Sequence, residues 1–223
     1  MESTFPKKVL GHANGELVPD GKEYFNRMGK IGKSVVIHDA PVFDYFYLES
    51  FGPKKDWEWR LQDVHGFIGE YPATASWFIS DKCKKVLEQF YIAPHHYFYA
   101  SKLLYKGKRL DYWIFQFPIA PLENYRFEES KFYYEHNNQR NEILISEQEE
   151  FLSIRRKLSL EDNIELKCSK ITLKGNYDLV YILPSGGRLA SFSLRQSIES
   201  SGLQGFLFSE LDYEVEVSNP SIS

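Results

Sequence analysis

The sequence predicts an α+β protein, with a mostly antiparallel or mixed sheet and about three packed helices in a single compact domain. Three observations carry that expectation. Short aromatic and β-branched runs, separated by Gly, Pro and Asn turns, recur from Ser34 to Val217. Helical spacing shows in only a few places, each beside a capping residue. Finally, 223 residues with 43% hydrophobic content suit one core that needs neither a metal nor a disulfide to hold it.

Taken in order, residues 1–33 are rich in Gly, Lys and Asn and read as an irregular N-terminal arm. The domain spans 34–217, and 218–223 form a tail. Ser34–His38 and Val42–Leu48 read as strand segments broken at Pro41. Trp57-Glu58-Trp59-Arg60-Leu61 alternates with period two, as a half-buried strand does. Ala75–Ile79 is a further strand, ended by Ser80, which can cap a helix starting at Asp81. Within that helix Cys83, Val86, Leu87 and Phe90 make one apolar stripe, leaving Lys82, Lys84 and Lys85 for water.

Beyond it, a strand opens at His95–Tyr99, and Lys106-Gly107-Lys108 turns the chain into Arg109–Phe117. That last segment is apolar on both faces and is therefore placed centrally in a sheet. Lys131–Glu135 and Glu142–Ile145 pair around His136–Arg140. Ser146 with Glu149 fits a capping box, as does Ser193 with Gln196, and Gly202 closes the second helix. Strands are expected near Ile164–Leu166, Lys170–Leu173, Leu179–Leu183, Leu203–Phe208 and on through Val217.

The chemistry is less generous. Thirty-one acids against 27 bases give a formal charge of −4, which argues against direct nucleic-acid binding. Cys83 and Cys168 are far apart and read as reduced thiols. Lys7 and Lys8 are followed by only two apolar residues before Gly11, unlike a signal peptide, and no apolar run is long enough for a bilayer. A cytoplasmic protein without a membrane partner is the expectation. Nucleotide-binding, nucleophile-elbow and zinc-protease motifs are absent from the sequence, and Ser185-Gly186-Gly187-Arg188 lacks the Lys-Ser/Thr of a phosphate loop. No enzyme, cofactor or metal is expected.

What remains points to recognition. Phe, Tyr and Trp make 16% of the chain, more than a core alone calls for, and the surplus serves a protein interface or a symmetric self-contact equally well. In Glu210-Leu-Asp-Tyr-Glu-Val-Glu-Val217, strand alternation would put Glu210, Asp212, Glu214 and Glu216 on one face, and Leu211, Tyr213, Val215 and Val217 on the core side. This is either a plain solvated edge or an acidic ridge for a basic partner. Trp57 and Trp59, at i and i+2, are core residues or interface anchors. Arg155-Arg156-Lys157 suits a helix C-terminus.

The stretch Ala75–Phe90, followed by aromatic strands, and the ending Phe192–Phe208 with its Gly202-Leu-Gln-Gly-Phe-Leu-Phe208 together resemble bacterial immunity proteins of polymorphic toxin systems, specifically the immunity protein 43 family and its relatives. The resemblance spans residues 34–217 and lies in hydrophobic spacing and glycines. It implies a cytoplasmic antidote that neutralises a cognate toxin by tight binding; the acidic face and its aromatic residues make a basic toxin, with its substrate cleft occluded, the expected partner. A non-toxin adaptor, a ligand-binding protein and an enzyme of another class are the competing readings.

Overall fold

The computed structural model describes residues 9–10, 21–33, 35–48, 60–66, 76–117, 121–161, 163–182 and 187–218. They divide between two compact units, the first comprising Met1–Phe90, His95–Ile119 and Gln196–Leu207, the second Tyr91–Pro94, Ala120–Arg195 and Phe208–Ser223. The α+β class holds, with mixed and antiparallel sheets and four α-helices among the described residues.

In the first unit the elements are β1 (Val9–Leu10), α1 (Gly21–Gly32), β2 (Val42–Tyr47), β3 (Val64–His65), β4 (Ser76–Ser80), α2 (Asp81–Leu87), β5 (Tyr97–Tyr105) and β6 (Lys108–Gln116). Their sheet has the order β1-β2-β5-β6-β4-β3. β6 is central, antiparallel to both neighbours, as its two apolar faces require. The β5–β6 turn has positive φ at both Lys106 and Gly107, the two-residue geometry whose twist matches the flanking strands. On one face, Phe43, Phe46, Phe78, Tyr99, Leu103, Tyr112 and Ile114 pack against Tyr24, Met28 and Ile31 of α1.

That helix is where an irregular arm was expected. Tyr24, Met28 and Ile31 recur at i, i+4 and i+7, a helical stripe obscured by the glycines and lysines around it. Tertiary packing, rather than intrinsic propensity, makes the helix. A buried chain of hydrogen bonds fixes its end. The Ile37 amide donates to the Tyr99 hydroxyl (3.2 Å), which donates to Gln116 Oε1 (2.7 Å), and Gln116 Nε2 donates to the Ile31 carbonyl (3.3 Å).

Ser80 caps α2 as expected, accepting the Cys83 amide at 3.1 Å, and Cys83, Val86 and Leu87 are buried. Lys84 departs from the expected water-facing position. Its ammonium lies 4.5 Å from the Trp113 ring centroid and 5.3 Å from that of Phe98, and it pairs with Glu88. No strand forms over 35–37, and β5 starts at Tyr97, after His95 turns with φ 65°.

The second unit contains β7 (Lys131–His136), β8 (Gln139–Ile143), α3 (Gln148–Glu161), β9 (Lys167–Leu173), β10 (Leu179–Ile182), β11 (Gly187–Ala190) and β12 (Glu214–Val217). The division falls within α4 (Phe192–Ser200). One sheet has the order β12-β9-β7-β8, and β10 pairs with β11. The β7–β8 turn is tighter than expected, because Asn137 and Asn138 both accept positive φ and close the hairpin in two residues. Phe151 and Leu158 of α3 reach a core of Phe127, Phe132, Ile171, Leu173, Val180 and Ile182. Residues 164–166, expected as a strand, precede β9 without joining it.

Both expected capping boxes are displaced. Ser146 donates through its amide and hydroxyl to Glu150 rather than Glu149, because α3 begins at Gln148. Ser191, not Ser193, caps α4, accepting the Leu194 amide at 3.1 Å, while Ser193 Oγ donates to Asp178. At the other end Gly202, with φ 62°, closes α4 as expected. The Leu203 amide reaches the Ile198 carbonyl and the Gly202 amide that of Glu199, a Schellman closure with Leu203 and Ile198 both buried.

The expected strand over Leu203–Phe208 does not form. Gly205 takes φ 101°, and its neighbour Gln204 bonds β3 through the amides of Asp63 and Val64. A Cβ at Gly205 would lie 2.4 Å from the Val64 carbonyl oxygen. Gly205→Ala is therefore expected to destabilise the fold by about 2 kcal/mol or more, read as a lower midpoint in urea unfolding. A substitution with unchanged stability would show that this approach is not needed.

Candidate functional site

The acidic run at 210–217 was the leading recognition feature of the sequence, and the second unit places it at a sheet edge. Among the described residues, β12 is the end strand of its sheet, parallel to β9, with Glu214 opposite Lys170 and Glu216 opposite Thr172. Only these last four residues are strand. Residues 210–213 run irregularly before it, so the expected eight-residue alternation is not maintained.

The two faces divide accordingly. Tyr213 and Val215 pack against the core. Leu211 (47% exposed) and Val217 (42%) do not take the core positions expected of them. Leu211 precedes the strand and Val217 is its last residue, so neither is covered.

The four carboxylates differ in their company. Glu216 accepts from Lys170 Nζ at 2.8 Å, so it belongs to the sheet's own charge lattice. The same sheet carries Lys167–Glu135 at 3.0 Å and Arg140–Glu142 at 3.5 Å, with the Arg140 guanidinium 3.9 Å from the Tyr133 ring centroid. Glu210, Asp212 and Glu214 are exposed and form no ion pair among the described residues. Asp212 lies near enough to Cys168 to add to the effect of burial in pushing that thiol up to about 11. Cys168 is consequently a thiol, not a nucleophilic thiolate, at neutral pH.

Trp57 and Trp59, the other candidate anchors, lie outside the described residues. The described tryptophans are engaged within the first unit. Trp77 sits edge-on to Phe117 (4.6 Å) and Phe206 (5.6 Å), and Trp113 Nε1 donates to Asp81 at 3.3 Å.

Two clusters of catalytic residue types turn out to have structural duties. Ser80 Oγ donates to Asp63 Oδ1 at 2.6 Å while accepting the α2 amide, and Cys83 beside it is buried, its thiol pushed up to about 12. His65 Nε2 accepts the Gln62 amide at 3.2 Å instead of facing Ser80. In the second unit, Asp178 accepts from Ser191 (2.6 Å), Ser193 (3.2 Å) and the Tyr91 amide (2.9 Å), an arrangement that seats the start of α4.

A cleft of about 280 Å³ in the second unit is lined by Arg126, Lys174 and Glu147 among others, and acids and bases are mixed across it. Among the described residues, no group of three His, Cys, Asp or Glu side chains is placed to hold a metal ion. No described helix is long and apolar enough to cross a membrane. Comparison with protein-family models, with curated proteins and with solved structures returns no match.

Burial holds the His65 imidazolium in disfavour, so its pKa lies below the ordinary value, with Asp63 opposing the shift. In the unfolded chain this histidine takes a proton near pH 6.5, whereas in the fold it resists until lower pH. Its stabilising contribution is thus complete above about pH 7 and declines as the pH falls, by at most about 1.4 kcal/mol per unit. Thermal melts of His65→Gln should lose part of that acid dependence relative to the parent. Parallel curves would exclude His65 as its source.

Proposed function

We propose that this protein acts by binding another protein through the acidic edge of its second unit, and that the partner is a toxin which the contact neutralises. The observation that carries the reading is the set of three exposed carboxylates, Glu210, Asp212 and Glu214, outside any ion pair among the described residues and interleaved with exposed Leu211. Three unpaired like charges repel one another mildly in the free chain. A cationic surface laid over them would remove that cost while Leu211 and Val217 supply apolar contact.

The toxin assignment rests on the resemblance of Ala75–Phe90 and Phe192–Phe208 to immunity proteins, and the geometry adds a surface suited to such a partner. A toxin with a basic substrate cleft would be occluded by the acidic edge. The carboxylates would steer the encounter, and buried apolar contact would slow release. No step of this action asks for a cofactor or a catalytic residue.

The first test is recovery of bound protein from the native host. The expected result is one stoichiometric basic partner that arrests growth when expressed alone and is relieved by co-expression of this chain. Asp212→Lys with Glu214→Lys should then slow association about tenfold or more at low salt and flatten its salt dependence. Fold stability should change by no more than about 0.5 kcal/mol, since both sites are exposed. Recovery of no toxic partner removes the antidote reading, and unchanged association kinetics remove this surface from it.

A further inference from the structure

The three adjacent cations Arg155, Arg156 and Lys157 have a different setting from the one their sequence suggests. A helix C-terminus would account for them, but α3 continues to Glu161 and its last turn contains no basic residue. The helix dipole falls off within the terminal turn, so it does not explain a cluster in the middle of the helix. All three are exposed, and none forms an ion pair among the described residues.

Leucines flank the arginines on the same side. Leu152, Arg155, Arg156, Ser159 and Leu160 recur at i, i+3, i+4, i+7 and i+8, which defines one helix face. Phe151, Ile154 and Leu158 occupy the core-facing side. Leu152 is 42% exposed and Leu160 72%. Leucine and arginine both favour the helix itself, and set side by side in the open they also make a mixed apolar and cationic face of the kind a docking surface uses.

We propose that this stripe of α3 receives a second copy of the chain through that copy's acidic 210–214 segment. The complement is present in the same molecule. Glu210, Asp212 and Glu214 supply unpaired carboxylates around exposed Leu211, matching guanidinium groups set between exposed leucines. Pairing α3 with α3 would oppose arginine to arginine, so the contact is heterologous, acidic segment on basic helix. Each pair leaves one face of either kind free, and further copies add unless the arrangement closes. A single helix stripe covers far less than the roughly 1,600 Å² of a stable complex, so the association is weak and sensitive to salt. It does not rest on the toxin reading, because it concerns the purified chain alone.

Sedimentation velocity of the full chain over a range of concentrations tests it. The parent should show concentration-dependent association that weakens at least about fivefold between about 0.05 and 0.5 M salt. R155E/R156E and D212K/E214K should each sediment as monomers while keeping the parent's circular dichroism. Their equimolar mixture should associate again, because the intact acidic segment of R155E/R156E meets the intact α3 of D212K/E214K. A parent that stays monomeric throughout overturns the proposal. So does self-association that survives R155E/R156E or D212K/E214K.

Discussion

Asp63 draws together parts of the first unit that lie far apart in the chain. Its Oδ1 accepts the Ser80 hydroxyl at the junction of β4 and α2, and its Oδ2 accepts the Gln204 amide at 2.9 Å. The backbone of the same residue donates to the Gln204 carbonyl and accepts the Ser80 amide. A carboxylate accepting two such bonds holds them more strongly than a neutral side chain would. The Ser80 cap, the β3–β4 pairing and the seat of the segment after α4 therefore share one residue. Gly205 completes the arrangement by letting two backbones approach where no Cβ fits.

How much of this was legible depends on how local each signal is. α2 could be read because Ser80, Asp81 and the Cys83-Val86-Leu87 stripe are adjacent in sequence, and β6 because both of its faces are apolar. The close of α4 was equally local, since Gly202 alone supplies the positive φ. Ser193 misleads because α4 already begins at Phe192, which leaves the cap to Ser191, whose hydroxyl Asp178 holds from thirteen residues away. Leu203–Phe208 has a strand's composition, yet its hydrogen bonds go to β3, which sequence spacing does not reveal. The acidic run was visible as composition. That only its last four residues pair, and that Lys170 takes Glu216, depends on a contact 46 residues distant.

The charge arrangement of the second unit separates structural from available groups. Lys167, Lys170, Glu135 and Glu216 are matched within the sheet, and exposed pairs of this kind add little to stability. Three of the unmatched carboxylates gather just before and at the start of β12, and three unmatched cations gather in the middle of α3. Segregated charge with apolar residues interleaved favours encounter with a complementary surface and disfavors a like one. A toxin seated on the acidic segment and a second copy seated there would exclude each other, so self-association would compete with antidote action instead of adding to it.

The order in which the units acquire their residues has a consequence for synthesis. The first unit takes in Gln196–Leu207 and the second Phe208–Ser223, although both have most of their residues earlier in the chain. On the ribosome, β3 emerges long before Gln204 can bond it, and β9 before β12 can cover its edge. Neither unit is closed until residues 196–217 have been released. Until then each carries an open margin able to pair with another nascent chain, a hazard that favours late, nearly simultaneous completion of both units over folding one after the other.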